Sequence, residues 1–242
     1  MPIRYIAPVY FLLLLHFTVA QAQQKDTMHT PPIDFSQINT YQLGNFKGKD
    51  GKDGKDGNSR LFVIKLWRMA LRGKNGKNGA DGPNLYAYIT AIPIADSVIL
   101  KVDITNLSDK KKTVSTFYVN PGVGHLNVFS IGGKGGDGGN GATGLPKEDK
   151  KSATDGGDAG NGANGGNAGT IKVVAEDAAI TYLKSNYIAF YSQGGAPGKA
   201  GKGGEPLDKT LRAGTDGHEG QPGDMGARVE LVDTKGKVYR VF

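Results

Sequence analysis

Cysteine is absent from all 242 residues, tryptophan occurs once and histidine four times. Without cysteine there is no disulfide framework, no thiol nucleophile and no lipid attachment beside a cleavage site. Outside the N-terminal stretch only His29, His125 and His218 supply imidazoles. No GxSxG or HExxH motif accompanies them, and no glycine run ends in the Gly-Lys-Ser/Thr that cradles a phosphate. Proline is scarce, 11 residues against 38 glycines. Beyond the N-terminus no apolar stretch reaches the roughly 18 residues of a membrane-spanning helix. These absences argue against an enzyme, and the expectation is a protein with no catalytic residue, no cofactor and no metal.

What is present begins with an export signature. Arg4 precedes an apolar stretch from Tyr5 to Val19, and Ala20-Gln21-Ala22 supplies small residues at a cleavage position. That order is a cleavable secretory signal over residues 1–22, with the mature chain starting at Gln23. The expected location is the periplasm, the outer membrane or the cell surface, with no transmembrane segment in the mature chain. Arg4 is the only charged residue of the signal, so its loss takes the formal net charge from +7 to +6. The one dense basic run, Lys110-Lys111-Lys112, has no aromatic residue interleaved. It reads as a solvated turn, and no nucleic-acid partner is expected.

The glycines recur every third residue in six blocks, at 48–59, 73–84, 132–146, 156–170, 194–205 and 214–228. A three-residue period implies an extended helix with three side-chain columns and no internal hydrogen bonds, whose backbone must bond to neighbours or water. Glycine columns are the faces along which neighbours approach. The first, second and sixth blocks have one such column. In the fourth block two columns are Gly or Ala throughout, and the third block shows the same order in its first three triplets. Two bare faces suit the interior of a packed bundle, and one suits its edge. The candidate structural glycines are Gly132, Gly135, Gly138, Gly141, Gly157, Gly160, Gly165, Gly166, Gly195, Gly198, Gly201, Gly214, Gly217, Gly220 and Gly223. The polar column Asp158, Asn161, Asn164, Asn167 and Thr170 is expected to face water, which would make Asn167→Ser nearly neutral.

Three arrangements fit such blocks: a polyglycine-II bundle folded from one chain, a collagen-like trimer, and flexible linkers. Collagen requires about one-third glycine and roughly 15–20% imino acid. The short, proline-poor blocks therefore speak against a homotrimer.

Between the blocks lie apolar, β-branched segments. Val98, Leu100, Val102 and Ile104 alternate with Ile99, Lys101, Asp103 and Thr105, as in a half-buried strand. Residues 85–90 and 113–119 also read as strands, and 229–232 with 237–242 as a closing hairpin. The apolar run inside 60–72 reads as either strand or helix. Phe129-Ser130-Ile131-Gly132-Gly133 aligns with Tyr191-Ser192-Gln193-Gly194-Gly195, which suggests a unit in which a strand runs on into triplets. The expected fold is mainly β with irregular structure, a strand layer joined to a polyglycine-II bundle. The expected domains are the signal, an N-terminal linker at 23–47, and one triplet/β domain at 48–242 that is richest in β at 85–131.

The signal, the stretches LKVDITN, FYVNP and LNVFSIGGKGGDGGNG, and the later YIAFYSQGGAPGKAGKGG resemble exported collagen-like or glycine-rich repeat proteins of Gram-negative envelopes. The resemblance spans roughly residues 98–228. Similar glycine arrays occur in phage adhesin tips and in glycine-rich antifreeze proteins, although the Lys and Asp columns here depart from a flat antifreeze face. The resemblance implies a structural or interaction protein whose partners are envelope or outer-membrane proteins. An adhesin or glycan-binding module, recognising its ligand through loops such as 147–155 and 207–213, is the second reading. One further pattern is GGKGGDGGN at 132–140, which partly fits a calcium nonapeptide with Asp137 at the aspartate position, but Gly139 occupies the large apolar position and no tandem copy follows.

Overall fold

The computed structural model describes residues 36–61, 68–145, 153–184, 187–227 and 229–241. The expected signal, the linker before residue 36, and residues 62–67 and 146–152 lie outside the described residues, as does His29. The domain is mainly β with almost no helix. Its strands are β1 (Tyr41–Lys47), β2 (Ser59–Leu61), β3 (Arg68–Ala70), β4 (Leu85–Ile94), β5 (Ser97–Asn106), β6 (Val114–Val119), β7 (His125–Ile131), β8 (Ile171–Ala175), β9 (Ile188–Gln193), β10 (Glu230–Asp233) and β11 (Val238–Val241). A short helix, α1 (Asp177–Ile180), and a 3₁₀ turn (Tyr182–Lys184) join β8 to β9.

Three parallel strands form one sheet in the order β1-β7-β9. A mixed sheet has the order β11-β10-β8-β4-β5-β6, and within it β10, β8 and β4 are mutually parallel. The pair β2-β3 makes a separate antiparallel ribbon. The ribbon decides the described ends of the 60–72 run in favour of strand. The closing hairpin is present as β10-β11.

Alternation gives each sheet one apolar face, and the two faces meet in a single core. Leu85, Ala87 and Ile89 from β4, Leu100, Val102 and Ile104 from β5, and Val173 from β8 pack with Leu126 and Val128 from β7 and Ile188 and Phe190 from β9. Burial of each larger side chain contributes about 1.5–3 kcal/mol.

The expected linker is corrected at its C-terminal end, where residues 41–47 are strand β1. The sequence hides this because the outward residues are the apolar ones, with Tyr41 64% and Leu43 54% exposed. Gly44 points inward instead, where an added Cβ would meet Phe46, Phe117 and Val128 at 3.3–3.5 Å. A larger residue at 44 would have to displace these side chains by a few tenths of an ångström or more.

Parallel neighbours require long return connections, and the triplet segments supply them. Each of β1, β7 and β9 runs directly into a segment, the first, third and fifth. Each of β4, β8 and β10 is entered from one, the second, fourth and sixth. The chain is thus three stacked copies of strand, outgoing segment, tip, returning segment and strand. The strand offset of Tyr41 to His125 equals that of Asp50 to Lys134 in the segments beyond. Leu126 pairs Ile188 at the same spacing that separates Asp137 from Lys199. The alignment made from sequence is the register observed, with Phe129 opposite Tyr191 and Ser130 opposite Ser192.

Candidate functional site

The triplet segments are neither helix nor strand by hydrogen-bond pattern, and they lie side by side in two layers. The outgoing segments order as first, third, fifth, and the returning ones as second, fourth, sixth. Within the outgoing layer, Gly51, Gly54 and Gly57 donate N–H to the carbonyls of Lys134, Asp137 and Asn140, while Gly135, Gly138 and Gly141 donate to Ala196, Lys199 and Lys202, all at 2.7–2.9 Å. Within the returning layer, Gly73, Gly76 and Gly79 donate to Asp158, Asn161 and Asn164, and Ala159, Gly162 and Gly165 to Thr215, His218 and Gln221, at 2.8–2.9 Å. A zigzag of bonds joins the layers: Lys77 to Lys52, Gly136 to Lys77, Ala163 to Gly136, Gly198 to Ala163 and Gly220 to Gly198, at 2.8–3.0 Å.

The third and fourth segments each bond to four neighbours, and they are the two with paired small-residue columns. Their position inside the slab is why two columns must be bare. A Cβ added at Gly132, Gly135, Gly138 or Gly141 would fall 1.8–2.1 Å from a carbonyl oxygen of the fourth segment. Gly157, Gly160 and Gly166 face carbonyls of Leu71, Lys74 and Ala80 at 2.0–2.4 Å, and Gly165 faces that of Gly195 at 2.1 Å. Gly195, Gly198 and Gly201 press on the third segment at 2.0–2.2 Å, and Gly214, Gly217, Gly220 and Gly223 on the fourth at 1.8–2.1 Å. All the candidate glycines therefore belong to this packing, where a real Cβ would require the backbones to separate.

The polar column is where the expectation needs correcting. Its side chains are exposed or half-buried, but they are bonded to neighbouring segments and not merely solvated. The Oδ1 atoms of Asp50, Asp53 and Asp56 accept the N–H groups of Lys134, Asp137 and Asn140 at 2.6–2.8 Å. Asp137 and Asn140 in turn accept from Lys199 and Lys202 at 2.9 Å. In the returning layer Asn75, Asn78, Asp81 and Asn84 accept from Asn161, Asn164, Asn167 and Thr170 at 2.8–3.1 Å. Asp158, Asn161, Asn164 and Asn167 accept from Thr215, His218, Gln221 and Asp224 at 2.9–3.0 Å. A segment presents three N–H groups per triplet, and side-chain oxygens take the third one. Asp and Asn supply that oxygen in the triplet columns, and their recurrence in one column was the signal available in sequence.

These bonds set the electrostatics. Asp50 is held below its ordinary carboxylate value by Lys47 and by the Lys134 N–H. Asp137 is lowered by the Lys134 side chain and the Lys199 N–H, and Asp158 by the N–H and hydroxyl of Thr215. Asp137 Oδ1 is thus engaged by the Lys134 side chain at 2.9 Å and by the Lys199 N–H at 2.9 Å, a structural role in the layer. Among the described residues no cluster of three His, Asp or Glu could hold a metal, and no helix is long and apolar enough to cross a membrane.

At the strand-to-segment junctions Ser130, fully buried, donates to the carbonyl of Pro83 at 2.7 Å. Ser192, opposite it in register, donates to the equivalent carbonyl of Gly169. The far ends of the three units gather as well: Ala142 N–H donates to Leu71 at 3.1 Å, Gly144 to Glu205 at 2.9 Å, and Arg212 to Asp155 Oδ1 at 3.1 Å. No protein family, curated protein or solved structure matches the chain.

Proposed function

We propose that the segments are polyglycine-II helices and that the protein is an exported, non-catalytic scaffold of the cell envelope, acting through protein–protein contacts in an envelope or outer-membrane complex. The observation that carries this reading is the bonding of the third and fourth segments. Nearly every amide of their triplets has a partner on one of several neighbours, and a backbone so tied is rigid. The three-residue register of those bonds is the periodicity that polyglycine-II packing requires. With the bonds of its two interior segments made within one chain, the slab needs no trimerisation. The export signature at 1–22 and the resemblance to glycine-rich envelope proteins supply the location.

Affinity purification of the tagged mature chain from its own envelope tests the proposal. Co-recovery of outer-membrane or periplasmic proteins is the expected result. A chain recovered alone from gently solubilised envelopes, or retained in the cytoplasm with Met1 intact, would overturn it.

The bonds that join Leu71 with Ala142, Gly144 with Glu205 and Asp155 with Arg212 at one end of the slab favour the second reading, an adhesin or glycan-binding module. Binding of the purified chain to isolated glycans or intact foreign cells, abolished by replacing 207–213 with a Gly-Ser linker, would favour that reading over the scaffold.

A further inference from the structure

Each returning segment is tied to the next by one pattern, and the pattern is left open beside the second segment. The third-column N–H groups of the fourth and sixth segments find side-chain oxygens on the preceding member of the layer. The equivalent groups of Asn75, Asn78 and Asp81 have no acceptor among the described residues, and the carbonyls of these three residues have no donor. Second-column N–H groups of the third and fifth segments donate to carbonyls across the layers. Those of Lys49, Lys52 and Lys55, in the same column of the first segment, donate to nothing among the described residues. One more returning segment would satisfy both sets at once.

The chain itself fills the first rung of that vacant lane. Asn84 donates its N–H to Ser108 Oγ at 2.8 Å and accepts from Leu107 N–H at 2.8 Å. These are the two bonds that the fourth segment receives from the second and gives back. Beside this rung a groove of about 480 Å³ opens between Lys47 and Gly48 on one side and Asp81 and Pro83 on the other.

We infer that this lane binds an extended glycine-triplet segment of a different protein, lying parallel to the second segment, with Asp or Asn two residues after each glycine. Its glycine N–H groups would bond the carbonyls of Asn75, Asn78 and Asp81, its Asx oxygens would accept from their N–H groups, and its carbonyls would accept from Lys49, Lys52 and Lys55. The lysine-rich edge favours an acidic or neutral segment over a basic one. Residues 1–35 do not carry the pattern the lane calls for, because they contain no glycine. A second copy fits poorly. Its outermost returning segment would offer Thr215, His218 and Gln221 in the column where Asx is needed, and only Asp224 fits. The sixth segment therefore lacks the Asx column that a head-to-tail copy would need, while the second segment leaves the N–H and carbonyl groups of Asn75, Asn78 and Asp81 without partners among the described residues. This partner class deepens the scaffold reading and rests on it.

The test uses the full mature chain with two synthetic dodecapeptides, four repeats of Gly-Ala-Asn and four of Gly-Ala-Gln, and reads amide hydrogen exchange residue by residue. In the free chain Asn75, Asn78, Asp81, Lys49, Lys52 and Lys55 should exchange at least about tenfold faster than Asn161 and Asn164. Millimolar Gly-Ala-Asn peptide should slow the six by about tenfold or more, and the Gln peptide should not. Lys52→Pro removes one donor without breaking a bond already made, in the column where Pro83 sits in the second segment. It should weaken peptide binding about fivefold, the usual loss for one hydrogen bond, whereas Lys52→Ala should not. Six amides already protected in the dilute monomer, or unaffected by saturating peptide, or protected only as chain concentration rises, would each overturn the inference. Envelope partners recovered equally by wild type and Lys52→Pro would overturn it too while leaving the scaffold reading standing.

Discussion

Asn167 Oδ1 accepts the backbone N–H of Asp224 at 3.0 Å, although the Asn167 side chain stands in an exposed column. The bond crosses from the fourth segment to the sixth and repeats at Asn164 with Gln221 and Asn161 with His218. An exposed residue thereby holds two chain segments in register. Asn167→Ser, which solvent exposure alone would make neutral, should cost about 0.5–1.5 kcal/mol, because the shorter hydroxyl cannot span the gap. Asn167→Asp keeps the oxygen and should stay within about 0.5 kcal/mol at neutral pH. Urea unfolding of both variants checks the contrast, and equal stability would leave these side chains as solvated decoration.

Steric demands on the glycine columns give a larger effect. A Cβ at Gly166 would stand 2.0 Å from the carbonyl oxygen of Ala80 and 2.4 Å from its carbon. Gly166→Val should combine overpacking of about 1–3 kcal/mol with about 1–3 kcal/mol for an orphaned backbone group. Met225→Val in the sixth segment, 82% exposed, serves as the control and should be neutral. Thermal unfolding with equal midpoints for the two valine variants would contradict the packing.

The columns and the interior position of the third and fourth segments were legible because side-chain size reports crowding directly. Gly and Ala in two columns leave nothing to fill space, so neighbours must. What the polar column does was not legible: Asn167 looks the same in sequence whether it meets water or an amide, and the difference lies in a partner 57 residues away. Strand β1 was lost for a related reason. Its inward positions are Gln42, Gly44 and Phe46, so alternation marks the wrong face as apolar. The strand-to-triplet unit was seen twice, at 129–133 and 191–195, where a serine recurs. Its third copy has Phe46 in place of that serine and so escaped notice.

That serine carries a prediction of its own. Ser130 is fully buried and satisfies the carbonyl of Pro83, itself a buried residue. Ser130→Ala should cost about 1–3 kcal/mol, since the carbonyl loses its partner where water cannot replace it. At half-buried Ser192 the same change should cost less. Denaturant midpoints for the two alanine variants should differ in that order, and the reverse order would mean that burial does not govern the junction.

Acid sensitivity follows from the aspartates that hold neighbouring amides. Asp50, Asp137 and Asp158 have folded pKa values below the ordinary 3.8, with hydrogen bonding to Lys47, Lys134 and Thr215 as the leading causes. A carboxylate depressed on folding contributes stability that is full above its unfolded pKa and is lost as pH falls through the folded value. The domain should therefore keep its stability from pH 7 down to about pH 5 and lose it below about pH 4, the unfolded range of aspartate. Asp158→Asn should flatten part of this loss, because the amide oxygen still accepts from Thr215 and no longer titrates. Tm measured between pH 2.5 and 7 on wild type and variant tests the sign: a wild type that gains stability on acidification, or an Asp158→Asn chain with an unchanged acid limb, would show that these bonds do not depend on the carboxylate charge.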